Sequence, residues 1–143
     1  MSVKRSVQFL YFAWLVSMIA TFGSLYFSEI RFFLPCELCW YQRIAMYPLV
    51  IILGVAAFTN ETKITKYALP FSIIGSMIAF YHYLLEKVPG FATVKPCSKG
   101  IPCDVAWINW FGFITIPFLA LVAFILITVF LLISRKLASK DEN

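Results

Sequence analysis

Charge is what this sequence has little of. Asp, Glu, Lys and Arg supply 13% of its 143 residues, about half the share that a soluble domain keeps to face water. Hydrophobic residues make up 62%, aromatics 18%, and the mean hydropathy is +0.86. Together these exclude a water-soluble globular domain and describe a surface that meets lipid. No segment alternates apolar and polar residues, which excludes a membrane barrel. No inverted repeat is visible and no apolar run holds a carboxylate in its interior, so ion-coupled transport has no support. Low-complexity tracts and signs of a second domain are also missing. The net charge of +5 does not mark a nucleic-acid binder, because the basic residues flank the apolar runs as membrane topology requires. Histidine occurs once, and cysteine is absent from the interior of every run.

What is present is a set of four runs long enough to cross a bilayer, each near the ~20 residues that ~30 Å of hydrocarbon demands. They cover about residues 7–27, 38–58, 67–85 and 111–133 of one membrane domain, 1–143. The expected fold is an all-α integral membrane protein, a four-transmembrane-helix bundle. Lys4 and Arg5 precede the first run as they would in a signal peptide. That run exceeds a usual h-region and no A-x-A-like site follows, so it reads as an uncleaved span. Pro117 is the only helix breaker in the fourth run, and Trp107 and Trp110 suit an interfacial belt where it begins.

Two crossings separate loop one (Ser28 to Glu37) from loop three (Glu86 to Trp110), so these share one side. The ends and loop two (Thr59 to Lys66) share the other. Lys4, Arg5, Lys63, Lys66, Arg135, Lys136 and Lys140 lie on the second side, the larger part of the 12 Lys and Arg residues. The positive-inside rule therefore expects cytoplasmic termini and extracytoplasmic cysteine loops, in a multi-pass protein of the cell membrane.

All four cysteines belong to loops one and three or their edges. Packing cysteines would scatter among the helices, whereas paired cysteines outside the cytoplasm read as disulfides. Cys36-Glu-Leu-Cys39 has the C-x-x-C spacing of readily exchanging thiols. Cys97 and Cys103 bracket a short loop in which Gly100 and Pro102 supply a turn, bringing the two within disulfide reach. Pro35 suits the first turn of a helix and Glu37 its positive end, which would put Cys36 where a thiolate is stabilised. Cys36, Cys39 and Arg43 then fall at i, i+3 and i+7 on one stripe. An arginine at that depth either snorkels to the interface or faces inward to a partner, a thiolate or the oxygen of a reduced cofactor. The shared stripe favours the inward reading. His82, about one turn inside the end of span three, reads equally as an interface residue between Tyr81 and Tyr83 or as part of the site. Ser72, Ser76 and Ala79 suit helix packing. Lys95 and Lys99 either lower the pKa of Cys97 or are simply solvated.

The run Pro35-Cys36-Glu37-Leu38-Cys39-Trp40-Tyr41-Gln42-Arg43 resembles the signature of the disulfide bond formation protein B (DsbB) family. The short Cys97–Cys103 loop resembles the family's compact, BdbC-like branch, and departs from better-known members that separate this pair widely. The likeness spans nearly the whole chain. It implies a membrane thiol–quinone oxidoreductase that reoxidises an extracytoplasmic thioredoxin-like thiol oxidase of the DsbA or BdbD kind. It also implies a membrane quinone, menaquinone or ubiquinone, as cofactor. By the same resemblance Cys97 forms the mixed disulfide with the partner, Cys103 receives exchange from Cys36, and Cys39 faces the quinone with Arg43 and His82 near its ring. Two other readings stand beside it. Disulfides that merely staple the loops are one. The other is a structural zinc site built from all four cysteines, which oxidising surroundings and the lack of a second C-x-x-C count against.

Overall fold

A computed structural model describes residues 2–88, 90–91 and 100–143. Apart from a single Trp110–Ile114 bridge, the regular structure of these residues is helical. Helix α1 spans Ser2–Leu25, α2 Glu37–Thr59, α3 Thr65–Lys87 and α4 Ile116–Glu142. All four are long and apolar enough to cross a membrane. A π-helical turn, Tyr26–Ile30, extends α1, and a 3-10 turn, Thr62–Ile64, leads into α3.

The helix boundaries follow from local chemistry. Cys36, in extended conformation, is the N-cap of α2, so Pro35 stands just before the helix and not in its first turn. Glu37 in that first turn complements the helix dipole. Asn60 closes α2 in the left-handed region at φ 56°, its N–H reaching the carbonyls of Ala56 and Ala57. The fourth span begins later than hydropathy predicts. Phe111 and Gly112 both take positive φ, 54° and 82°, within a turn closed by the bridge, and extended Thr115 precedes the helix. Pro117 thus lies in the first turn, where its missing N–H costs nothing, and the helix runs past 133 to Glu142.

The helices pack in a ring, α1 against α2 and α4, and α3 against α2 and α4. Small residues permit close approach, as lipid-embedded bundles require. The Phe124 ring lies on Gly75, where any Cβ would collide with it. Trp14 packs closely over Gly54, where an added Cβ would stand 3.0 Å from its Nε1. Ser72 Oγ donates to the Phe124 carbonyl at 3.0 Å and pairs with Thr128 Oγ1, while Ser76 Oγ donates to the Ser72 carbonyl. At the end away from the cysteines, Ser6 and Ser134 exchange hydrogen bonds, each hydroxyl donating to the other's carbonyl at 2.8 Å. A second buried cluster sits at the opposite end, where Cys36, Leu38, Leu85 and Cys103 meet. Loops one and three therefore lie together.

Candidate redox site

The N-cap position of Cys36 and the first-turn position of Cys39 put both sulfurs on one face of α2, 3.3 Å apart as free thiols. A disulfide would bring them to about 2.05 Å, so this is the reduced pair, poised to close. Cys103, by contrast, is disulfide-bonded. Cys97, Lys95 and Lys99 lie outside the described residues.

Helix α3 delivers His82 to the same point. Its Nε2 is 3.6 Å from Cys36 Sγ, and its Nδ1 is 3.0 Å from Gln42 Nε2. Both His82 and Gln42 are buried, at 4% and 6% exposure. As the amide is oriented, Gln42 donates to Nδ1, which leaves the Nε2 hydrogen to point at the Cys36 sulfur. The ligating atoms of Cys36, His82 and Cys103 all lie within 4.8 Å of one another. The Cys36 thiol is pushed down to about 4: the hydrogen bond from Cys39 favours the thiolate, burial opposes it, and the His82 hydrogen bond and charge assist. One turn beyond His82, Glu86 Oε2 is buried without a hydrogen-bond partner among the described residues, as is Thr115 Oγ1.

Among the described residues, Arg43 hydrogen-bonds to neither a sulfur nor a carboxylate. Its Nε donates to Ser24 Oγ at 2.9 Å and its Nη2 to the Ser24 carbonyl at 3.0 Å. The guanidinium carbon also stands 5.3 Å from the centroid of the Trp40 ring, a cation–π distance. So fixed, Arg43 lines a cavity of about 460 Å³ walled by α1, α2 and α4. Cys39 and Gln42 share that wall with Phe27, Met46, Ala123 and Phe124. His82 is not in it; its ring serves Cys36 instead. At one end, Phe27, Phe33 and Trp107 stack in series, with centroids 6.0 and 5.3 Å apart, joining loop one to loop three. Trp107 thus stacks on loop one, where the sequence suggested an interfacial anchor. Loop three is held to α3 by Lys87 Nζ, which donates to Asn109 Oδ1 and the Gly112 carbonyl.

Gln42 and Ser24 are the contributors that sequence reasoning passed over. Gln42 carried a signal, an uncharged polar side chain at membrane depth directly before Arg43. Ser24 carried none, being one small residue among many in span one.

A reduced thiol pair at the start of a membrane-crossing helix, set against a disulfide-bonded cysteine of the adjoining loop, is the working arrangement of an integral membrane thiol-redox protein. Comparison with known sequences sharpens this: residues 4–134 match the family of "Disulfide bond formation protein DsbB", and the chain belongs to that family. It is 63% identical over 129 residues to disulfide bond formation protein C of Bacillus subtilis, covering 90% of this chain and 94% of the relative. A probable disulfide formation protein C 1 of Bacillus anthracis is 50% identical, covering 93% and 97%. A probable disulfide formation protein of Coxiella burnetii is 46% identical, covering 87% and 86%. No solved structure matches. The chain is therefore a multi-pass membrane protein of disulfide bond formation, with the oxidoreductase chemistry that this entails.

Proposed function

We propose that this protein is a thiol–quinone oxidoreductase that reoxidises a thioredoxin-like thiol oxidase on the extracytoplasmic side. The observation that carries the reading is the position of Cys39. It stands 3.3 Å from Cys36, which adjoins Cys103, and it forms part of the cavity wall beside Arg43.

The cavity suits a quinone head. Its volume falls within the ~300–1,000 Å³ of small-molecule sites, and such sites pair apolar walls with a few polar groups. Here Arg43 and Gln42 supply those groups. A bound quinone would take up two electrons and two protons as the dithiol closes to a Cys36–Cys39 disulfide. Arg43, held by Ser24, places positive charge where negative charge develops on such an acceptor.

On the thiol side, Cys97 forms the mixed disulfide with the partner, whose second thiolate resolves it. Cys97 and Cys103 are left as thiols. The Cys103 thiolate attacks the sulfur of Cys36 in the Cys36–Cys39 disulfide, and Cys39 leaves as a thiolate. Cys97 then attacks Cys103, re-forming their disulfide and releasing Cys36 as a thiolate. Electrons are conserved at each exchange. The closeness of Cys36 to Cys103 supports this step without a large loop swing, and so offsets the short spacing of the loop-three pair. His82 stabilises the leaving Cys36 thiolate through Nε2, with Gln42 fixing the ring. The excess of Lys and Arg at the opposite end supports an extracytoplasmic site.

The test mixes the reduced protein in detergent with a soluble quinone analogue and follows two-electron oxidation. Cys36→Ser and Cys39→Ser each abolish it, and Arg43→Met raises KM for the quinone roughly tenfold, about 1.4 kcal/mol of lost binding. Oxidation that survives in both cysteine variants overturns the reading.

A further inference from the structure

We propose that Cys36, His82 and Cys103 form a zinc site that becomes available only when the Cys103 disulfide is reduced, so that Zn²⁺ captures the fully reduced protein and arrests it. This rests on the electron-entry reading above, because electrons arriving from a partner dithiol are what would open that disulfide in the cell.

The geometry is close to that of a bound ion. With Zn–S of about 2.3 Å and Zn–N of about 2.0–2.1 Å, neighbouring ligand atoms of a tetrahedron stand about 3.5–3.8 Å apart. Cys36 Sγ and His82 Nε2 are already 3.6 Å apart, and no pair among the three ligand atoms exceeds 4.8 Å. Closing the rest requires about 1 Å of movement. All three residues are buried, so their donors are shielded from competing water. For Nε2 to ligate, the ring hydrogen moves to Nδ1, and Gln42, 3.0 Å from Nδ1, turns its amide to present Oε1 and accept it, which is the outer-shell hydrogen bond of a ligating histidine. Three protein ligands leave a fourth position for water, and Cys39 Sγ stands 3.3 Å from Cys36.

The gate is chemical. A sulfur in a disulfide offers no thiolate to a metal, and Cys103 is in one here. Reduction of that bond consumes two electrons and two protons and yields two thiols. Zn²⁺ then takes both sulfurs as thiolates, releasing any proton they still carry, with no electron transferred. Once ligated, Cys36 neither attacks nor is attacked, and its closure with Cys39 is blocked.

The full-length protein in detergent is reduced with a phosphine, desalted anaerobically and titrated with Co²⁺, followed by Zn²⁺ competition. Expected is one equivalent of Co²⁺ with thiolate charge-transfer and tetrahedral d–d bands, displaced by Zn²⁺, with the oxidised protein binding at least ~100-fold more weakly. Gln42→Leu weakens binding roughly tenfold or more, as loss of an outer-shell partner does, and His82→Ala weakens it further. In the unmodified sequence Zn²⁺ slows alkylation of Cys36 and Cys103, read peptide by peptide by mass spectrometry, which does not depend on any variant folding. Equal affinity in the oxidised protein, an unchanged His82→Ala, or alkylation indifferent to Zn²⁺ overturns the site. Quinone reduction by the metal-free protein is measured alongside. If zinc binding fails while quinone turnover persists, only the zinc site falls; if quinone turnover itself is missing, the functional reading falls.

Discussion

Cys36 gathers its reactivity from three directions. Its backbone caps α2, the Cys39 thiol stands 3.3 Å away one turn on, and His82 approaches from the neighbouring helix. A thiol titrating at about 4 is almost wholly thiolate from neutral pH down to about pH 5, whereas an ordinary cysteine near 8.5 loses tenfold in thiolate with each unit below that. Alkylation of Cys36 by iodoacetamide in the metal-free, reduced protein should therefore stay flat between about pH 8 and pH 5 and fall only as the pH drops through about 4. Removing a group that favours the thiolate moves the fall upward, so His82→Ala should be slower than the parent at pH 5 and nearly equal at pH 9. A Cys36 profile rising through pH 8.5 in the parent would contradict the geometry. Which of these contacts were legible beforehand follows from their range. Cys36, Cys39 and Arg43 are bound by helical spacing, so one stretch of sequence announces them. The pairing of His82 with Cys36 and Gln42, and of Arg43 with Ser24, depends on how helices rotate against one another. No local pattern encodes that.

At the scale of the helix, close approach decides more than apolarity. Phe124 is fully buried against Gly75, so Gly75→Val forces its ring away and separates α3 from α4. The expected loss is about 1–3 kcal/mol, the usual cost of overpacking, seen as a lower midpoint of thermal unfolding in detergent. Pairing Gly75→Val with Phe124→Leu should recover part of it; no recovery would mean that the ring is not the obstacle. The same contrast explains where hydropathy misplaced an element. Phe111 to Thr115 is apolar enough to count as span, yet Phe111 and Gly112 hold backbone angles that no helix contains. Apolarity reports the company a residue keeps, while the turn is set by φ and by Pro117. The existence of four helices was plain from their length, but the depth at which each begins was not.

For the molecule as a whole, orientation is the property that function requires. Asn60, in the turn after α2, and Gly112, beside the cysteine end, face opposite sides of any bilayer the bundle crosses. In a background with its native cysteines replaced, Asn60→Cys should react with a membrane-impermeant maleimide only after the cells are opened, and Gly112→Cys should react in intact cells. The reverse pattern would point the exchange site at the cytosol and remove the proposed partner.

The burial of Cys36 and Cys103, at 7% and 6% exposure, reaches beyond reactivity. Small thiols drifting past find little of either residue to strike, so charge held on that pair has few routes by which to leak. Insulation of that kind lets the carrier discriminate among donors: discharge waits for a visitor large enough to press against the outer loops, and stray reductant in the medium does not drain the line.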